Sequence, residues 1–207
     1  MDEGRFPVTT YGLLRHSKSR WNQEKRIQGQ MDSPLTRTGR EEAERWGKFL
    51  VRFKWDRIMS SDTGRTLETV DIINNFLKIP VHADRRLREQ DWGRWTGRTI
   101  AEIRTQEPDL LEEQVDSGWG FCPPGGEDRL AVLKRSLESI RAASDKWAGE
   151  KILVITHEGV IKCLLYRCLG RRFLPTEPSI LRSGRLHWII YGNGGMSAGE
   201  INVPATG

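Results

Sequence analysis

The sequence predicts an α/β fold, a three-layer α/β/α sandwich around a mainly parallel central sheet. Apolar segments of strand length alternate with segments of helical periodicity along most of the 207 residues, which is the pattern of repeated strand–helix–strand units. The segment KILVIT (151–156) is almost continuously apolar, as expected of a strand that is covered on both faces. The length suits one domain, so we expect a single domain over residues 1–207.

The first half of the chain should contribute three strands and two helices. Short runs of aliphatic, aromatic and β-branched residues indicate strands, and apolar residues at intervals of three and four indicate helices. In order, we expect a strand at 8–14, a helix from Thr38 with Ala43, Trp46, Leu50 and Phe53 on one face, a strand at 57–60, a helix capped by Ser61 or Asp62 with Leu67, Val70 and Ile73 inward, and a strand at 79–83.

The second half begins with an irregular segment, residues 87–98, which we interpret as a functional loop. Thr99 and Glu102 then form a capping-box pattern at the start of a helix, and a break at the prolines and glycines of 122–128 precedes a longer helix. The remaining predicted elements are a helix with Leu130, Leu133, Leu137, Ile140 and Trp147 on one stripe, the strand at 151–156, a helix over 160–170 closed by Gly170, and two β segments, GRLHWIIYG and MSAGEINV, that suit a hairpin.

Composition excludes several classes of protein. The hydrophobic fraction is 37% and the charged fraction is 29%, which is ordinary for a soluble globular protein. No apolar run approaches the ~18 residues that cross a membrane. The net charge is +5, but basic residues are interleaved with acidic ones. We therefore expect a small anionic substrate and neither a nucleic-acid nor a membrane partner.

The N-terminus and the cysteines indicate the cellular compartment. The segment MDEGRFPVTT lacks the basic and apolar regions of a signal peptide. Cys122, Cys163 and Cys168 are an odd number and have no metal-ligand spacing. We expect reduced thiols in a cytoplasmic protein that holds no metal.

Charged side chains follow each of four predicted strands. Arg15 and His16 follow the first strand, and Arg65 comes about one helical turn after the second. Glu89 lies beyond the third strand, and His157 follows KILVIT directly. Because ligands gather beyond the carboxyl ends of parallel strands, we expect these five side chains to meet at one edge of the sheet.

This set of side chains suits phosphoryl transfer. Arginine forks match phosphate oxygens bidentately, and a helix N-terminus adds backbone donors. A histidine nitrogen can attack phosphorus to give a covalent intermediate, while a second histidine stabilises the charge that develops on oxygen. A carboxylate can protonate the leaving oxygen and then activate water. Because arginines and histidines supply the positive charge, the chemistry requires no metal.

Each of these residues also has an ordinary structural role open to it. A lone histidine such as His16 is commonly a core residue with a hydrogen-bond partner, and His157 would suit a helix cap. Arg65 could pair with acidic neighbours on its helix, and Glu89 with the arginines around it. Two histidines inside strand-like segments are interpreted as structural: His82 and His187.

Six motifs occur in a fixed order along the chain. LLRHSKSRWN is similar to an apolar run followed by Arg-His-Gly-x-Thr-x-x-Asn, and the others are IQGQMDSPLTRTGREEA, SSDTGRTLETV, LREQDWGRWTG, PPGGED and ITHEGVI. This series resembles the signature of the histidine phosphatase superfamily, also called the phosphoglycerate mutase-like family. Any one motif is weak evidence, but the ordered series covers roughly residues 10–165 and is specific.

The resemblance implies a phosphoglycerate mutase-like fold and a phosphatase-type enzyme that needs no cofactor or metal. It implies that His16 is the phosphorylated nucleophile and that Glu89 donates a proton and later acts as a base. Arg15, Arg65 and His157 would hold the phosphoryl oxygens of a small phosphorylated substrate. Further substrate contacts are expected from five residues: Asn22, Ser17, Gln28, Gly29 and Glu158.

The chain departs from the family pattern at four positions near the two motif histidines. Ser17 adds a side chain where glycine lets backbone and phosphate approach closely, and Ser19 keeps the hydroxyl of the usual threonine. Lys18 adds a cation beside the pocket. Glu158 favours the helix dipole but puts negative charge near a phosphate. These departures concern the level of activity rather than the fold.

Three functions fit these motifs. The first is a phosphatase for a small phosphorylated metabolite. The second is a cofactor-dependent phosphoglycerate mutase, which in this family has a longer segment that covers the site. Residues 90–126 are short for such a cover, which favours hydrolysis. The third is a catalytically silent phosphate-binding relative, and the retention of all five core residues argues against it.

The sequence leaves the substrate open among sugar phosphates, phosphoserine-like acids and nucleotide-precursor phosphates. An α-ribazole phosphatase and a broad-specificity phosphatase would both show these motifs. A homodimer is also left open. Aromatic residues suit the mouth of the site, although tryptophans are more often core residues, and the candidates are Trp21, Trp92, Trp95, Trp119 and Phe121.

Overall fold

A six-stranded mixed sheet with helices on both faces forms the centre of the molecule. The computed structural model describes residues 7–205. The elements in this range are β1 (Thr9–Arg15), α1 (Arg20–Gln23), α2 (Arg37–Leu50), β2 (Arg57–Ser60), α3 (Gly64–Leu77), β3 (Val81–Ala83), α4 (Ile100–Gln106), α5 (Pro108–Asp116), α6 (Arg129–Lys146), β4 (Lys151–Thr156), α7 (Glu158–Cys168), β5 (Leu186–Gly192) and β6 (Gly195–Ala198).

Two sequence predictions are limited by the described range. The expectation that no signal peptide begins the chain concerns residues 1–6, which lie outside the described residues. The expectation of a single domain over 1–207 stays a prediction. Within the described residues, no helix is both long and apolar enough to span a bilayer.

The strand order of the sheet is β3-β2-β4-β1-β5-β6. The first four of these strands pair in parallel, and β5 and β6 add an antiparallel hairpin at one edge. The predicted three-layer α/β/α sandwich and the terminal hairpin are therefore confirmed. Because β1, β2 and β4 are adjacent and parallel, their carboxyl ends lie side by side at one edge of the sheet.

The alternating side chains of β4 build the two halves of the core. Ile152 and Val154 pack with α6 and α7 on one face, and Leu153 and Ile155 pack with α2 and α3 on the other. All four side chains are fully buried, and each such burial contributes about 1.5–3 kcal/mol. The strand is covered on both faces, as its continuous apolar sequence predicts.

The start of α3 differs from its sequence prediction. The N-cap is Thr63, which makes no side-chain cap hydrogen bond, rather than Ser61 or Asp62. Both predicted caps have other partners, since the Asp62 carboxylate pairs with Arg88 and the Ser61 hydroxyl lies 2.9 Å from His157 Nε2. The residues expected to cap the helix are thus engaged at the edge of the sheet.

The stripe predicted for α6 is wrong at its first residue, since Leu130 is 53% exposed. The other members pack in or against one core cluster: Leu133, Leu137, Ile140 and Trp147. Trp147 directly follows the last helical residue, where the backbone has left the helical region at φ −129°. The helix at α4 agrees with its prediction, and both hydrogen bonds of the capping box are present.

Candidate active site

A cavity of about 440 Å³ opens at the carboxyl edge of the sheet. Its wall brings together eight of the ten site residues predicted from the sequence, and the other two, His157 and Ser17, lie next to it in the structure. The eight on the wall are Arg15, His16, Asn22, Gln28, Gly29, Arg65, Glu89 and Glu158.

His16 is the first residue beyond β1. Its backbone N–H donates to the Thr156 carbonyl at 2.9 Å, which extends the strand pairing by one residue. Its ring nitrogen Nδ1 lies 2.9 Å from the Ser17 carbonyl oxygen. A carbonyl only accepts hydrogen bonds, so Nδ1 carries the hydrogen and Nε2 keeps its lone pair.

The environment keeps the His16 ring neutral. Burial, followed by the charges of Arg15 and Arg65, lowers its pKa well below the ordinary value of 6.5. Arg65 Nε donates to His16 Nε2 at 3.3 Å. The unprotonated nitrogen therefore accepts from a guanidinium group, which places positive charge beside it.

Arg65, in the first turn of α3, is 1% exposed and is held by backbone oxygens. Its guanidinium donates to the carbonyls of Met31 at 2.7 Å and Gly29 at 2.8 Å. A third contact joins it to Asp32 at 3.2 Å. These contacts fix the guanidinium and its positive charge beside the His16 ring.

The acidic partners expected for a plain surface arginine at position 65 are engaged elsewhere. Asp62 pairs with Arg88 at 2.6 Å, and Glu68 pairs with Arg40 at 2.6 Å. The structure thus removes the alternative in which Arg65 simply pairs with a neighbour on its own helix.

His157 follows β4 and is fully buried beside His16, with the ring centroids 5.2 Å apart. Arg65 Nη2 donates to its Nδ1 at 3.2 Å, and its Nε2 lies 2.9 Å from the Ser61 hydroxyl. Burial, then the charge of Arg65, lowers the pKa of His157 well below its ordinary value. In this arrangement the ring is neutral and orients the Arg65 guanidinium.

Glu89 reaches the site from the loop beyond β3. Its carboxylate accepts from the backbone N–H of Gly159 at 3.3 Å and from that of Gln90 at 2.9 Å. A Cβ atom on residue 159 would overlap the Glu89 carboxylate, so only glycine allows this approach to the first turn of α7. Arg135 holds the backbone carbonyl of Glu89 at 3.0 Å.

Arg15, the last residue of β1, shares a carboxylate with a lysine. Glu158 forms ion pairs with Arg15 and, at 2.7 Å, with Lys162 one turn further along α7. Burial alone would raise the pKa of Glu158, but the two cations lower it below its ordinary value. The Glu158 carboxylate therefore stays charged and engages Arg15.

Three of the predicted substrate contacts, Gln28, Gly29 and Asn22, have different surroundings. Gln28 Oε1 is buried and has no hydrogen-bond partner among the described residues. Gly29 adopts φ +52° and offers its carbonyl to Arg65. Asn22 accepts from the backbone N–H and hydroxyl of Ser19 at 3.1 and 3.0 Å, so part of its polar capacity closes a capping box.

The structure does not place the Ser17 side chain on the cavity wall. The residue is 2% exposed, its N–H donates to Thr69 Oγ1 at 3.1 Å, and its carbonyl accepts from His16. Of the five aromatic residues expected at the mouth, Trp92 alone lines the cavity in the described part of the chain. Trp95 and Phe121 are buried in a separate cluster with α4 and α5, and Trp119 packs on Phe173.

Sequence reasoning missed two residues that position the catalytic groups. Ser61 holds His157, and its signal is a small polar residue directly after a buried strand. Gly159 admits Glu89, and its signal is a glycine in the first turn of a helix that begins at the sheet edge. Both residues lie inside motifs in which the charged side chains were chosen as the candidate site residues.

The fold and this site define the class of protein. The chain belongs to the histidine phosphatase superfamily (branch 1), whose sequence profile matches residues 12–203. The family assignment made from the ordered motifs is therefore confirmed, and it places the chain among phosphatase- and mutase-type enzymes.

Individual relatives carry both kinds of name. A protein of Salmonella choleraesuis (strain SC-B67) named "Probable phosphoglycerate mutase GpmB" is 33% identical over 158 residues, which cover 76% of this chain and 74% of that protein. The structure of Bacillus stearothermophilus YhfR is 33% identical, with a TM-score of 0.85 over 96% of this chain and 98% of that one. A mycobacterial glucosyl-3-phosphoglycerate phosphatase in complex with VO3 is 26% identical, with a TM-score of 0.81 over 94% and 98%.

Proposed function

We propose that this chain is a phosphomonoesterase that hydrolyses a small phosphorylated metabolite through a phosphohistidine on His16. The observation that carries the proposal is the state of the His16 ring, which is neutral, keeps its lone pair on Nε2 and faces the fixed Arg65 guanidinium. A histidine in this state is a competent nucleophile towards phosphorus.

The reaction would proceed in two displacements. His16 Nε2 forms a bond to phosphorus while the bond from phosphorus to the ester oxygen breaks, and Glu89 in its acid form gives that oxygen a proton. Glu89 then takes a proton from water, which attacks phosphorus and breaks the bond to Nε2. Arg15 and Arg65 would hold the phosphoryl oxygens in both steps. His157 stays a predicted phosphoryl ligand whose contacts also support a role in orienting Arg65.

The placement of residues 90–126 favours hydrolysis over mutase activity. In this segment only Gln90 and Trp92 line the cavity within the described residues. The rest packs on itself around Trp95, Ile103 and Leu111. Because the segment does not extend over the cavity, water can reach a phosphorylated His16. The mutase name of the Salmonella relative keeps transfer to a second alcohol as the alternative activity.

The proposal is tested with p-nitrophenyl phosphate and a phosphoglycerate. We expect metal-independent release of phosphate in the presence of a chelator, inhibition by vanadate, and acid-labile, base-stable label on the wild type after brief exposure to a labelled ester. His16→Ala should lose the label and more than roughly 10⁴-fold in turnover. His82→Ala, a change at an exposed histidine, is the matched control.

Each alternative activity predicts a different result. Isomerisation of phosphoglycerate much faster than its hydrolysis would identify a mutase. Phosphate binding without turnover on any ester would identify a silent relative. Label on a serine, or an absolute need for a divalent ion, would contradict the mechanism.

A further inference from the structure

The end of the cavity away from His16 contains a cation with unusual surroundings, Arg129. It is the first residue of α6, and its guanidinium carbon lies 4.2 Å from the ring centroid of Phe121 and 4.5 Å from that of Phe173. One N–H donates to the Gly118 carbonyl at 2.7 Å. Burial lowers the pKa of Arg129 to about 10, so the side chain is still charged at neutral pH.

Arg129 differs from the other cations on the cavity wall because it has no carboxylate partner among residues 7–205. The neighbouring acids are already engaged, since Glu127 pairs with Arg135 and the Asp128 side chain caps α6. The other four wall cations each form an ion pair: Arg15 and Lys162 with Glu158, Arg26 with Glu24, and Arg65 with Asp32.

This position is unfavourable for an arginine without an acidic partner. The N-terminus of a helix carries positive partial charge, so a cation in the first turn is repelled. Partial burial adds a desolvation penalty that an opposite charge would offset. The two aromatic contacts and one carbonyl leave further N–H donors of Arg129 free to face an anion, which a guanidinium binds bidentately through its edge.

Arg129 lies on the cavity wall but outside the cluster around His16. Its guanidinium contacts Gly118, Phe121 and Phe173, whereas the histidines are linked to Arg65. The charges that lower the pKa of His16 are those of Arg15 and Arg65. An anionic group at Arg129 would therefore belong to the alcohol part of the ester and not to its phosphoryl group.

Aromatic side chains pack together on the part of the wall beside Arg129. Tyr166 and Phe173 have ring centroids 4.4 Å apart, and both line the cavity. Phe173 adopts φ 63°, a left-handed backbone region that is strained for an aromatic residue and is kept only where its surroundings enforce it. Trp119 packs against the same ring at 4.7 Å. The wall thus suits an apolar body that ends in a charge.

From this geometry we infer that Arg129 is an anion subsite for the leaving group. The favoured substrates are phosphomonoesters whose alcohol carries a second anionic group, a carboxylate or a second phosphoryl group, on an apolar body. This inference rests on the proposed phosphatase function and names the class of substrate that the site selects.

The test compares two esters with the same leaving-group chemistry. The phosphate ester of 3-(4-hydroxyphenyl)propanoate ends in a carboxylate, and that of its methyl ester is neutral at the same place. We expect the wild type to prefer the carboxylate by about tenfold or more in kcat/KM. Arg129→Gln should bring the ratio close to one, and Arg129→Lys should keep part of it. A third ester that ends in a phosphonate distinguishes a carboxylate site from a phosphoryl site.

The ratio of kcat/KM for the two esters is measured within each protein. A general loss of folded protein or of turnover therefore affects both esters equally and leaves the ratio unchanged. Arg141→Gln, the same change at an exposed position of α6, should leave both the ratio and the activity unchanged. A wild-type ratio near one, or a ratio kept in Arg129→Gln, would overturn the inference while the phosphatase function stands. Hydrolysis of neither ester by the wild type would overturn the phosphatase function and the inference together.

Discussion

At one end of the cavity, His16 and His157 are held by neighbouring strand ends, and Arg65 is fixed by backbone carbonyls. At the other end, Arg129 lies at a helix terminus and Phe173 lies in the loop after α7. The first set has protein partners for its polar groups, and the second contains a charge without an acidic partner. In the proposed reaction, the sheet would fix the groups that act on phosphorus, and helix ends and loops, which vary more readily, would select among alcohols.

After the loss expected for His16→Ala, the largest effect should follow a change at Glu89. Glu89→Gln should lower turnover by roughly 10²–10⁴, the usual contribution of general acid–base catalysis. The loss should shrink for esters with good leaving groups, since these need less protonation. Steady-state kinetics on an alkyl and a nitrophenyl ester measure both effects. An equal loss on the two esters would remove Glu89 from the role of acid.

The neutral histidines at the same end should make stability depend on pH. His16 and His157 have a pKa lowered well below 6.5 in the folded state, so unfolding takes up protons below that pH. The free energy of unfolding should therefore fall as pH decreases from 7 to 5, at up to about 1.4 kcal/mol per pH unit for each group. Urea denaturation at pH 7, 6 and 5 measures the slope.

A third histidine with a lowered pKa provides a control for the dependence of stability on pH. Burial lowers the pKa of His187, which lies in β5 away from the cavity wall, to about 4. His187→Asn should reduce the slope, whereas saturating phosphate should raise stability at every pH through binding to the folded state. A free energy of unfolding that stays constant or rises towards pH 5 would contradict the neutral assignment.

A smaller effect, on inhibitor binding, is expected from changes at Glu158. Glu158 joins Arg15 to Lys162, and its negative charge opposes that of a bound phosphoryl group. Glu158→Gln should strengthen inhibition by vanadate by roughly three- to tenfold, or about 0.7–1.4 kcal/mol. Lys162→Gln leaves the carboxylate less neutralised and should weaken inhibition. Inhibition constants that are unchanged in both variants would show that Glu158 does not compete for Arg15.

The smallest effect should come from position 17. The Ser17 side chain lies off the cavity wall, so Ser17→Gly should change kcat/KM by less than about tenfold, or 1.4 kcal/mol of barrier. The comparison uses one aryl phosphate for both proteins. A much larger gain in the glycine variant would show that serine obstructs the site.

The positions of the side chains around His16 could be predicted from the sequence, because each follows a strand that a local apolar run indicates. Strands β2 and β4 begin and end as their apolar runs indicate, and each predicted group at the sheet edge follows such a run. The far end depends on contacts between distant segments, since Arg129 meets Phe173 across 44 positions of sequence. Periodicity carries no information about such contacts. For the same reason, Leu130 was expected inside and is exposed.

The hydrogen bond from His16 Nδ1 to the Ser17 carbonyl has an evolutionary consequence. Every amino acid carries that carbonyl, so no single codon change at position 17 can delete the group that selects the reactive tautomer. Selection at this position acts on the path of the main chain and on the space that a side chain needs. A lineage can therefore exchange the residue after His16 and inherit the same hydrogen bond to the main chain.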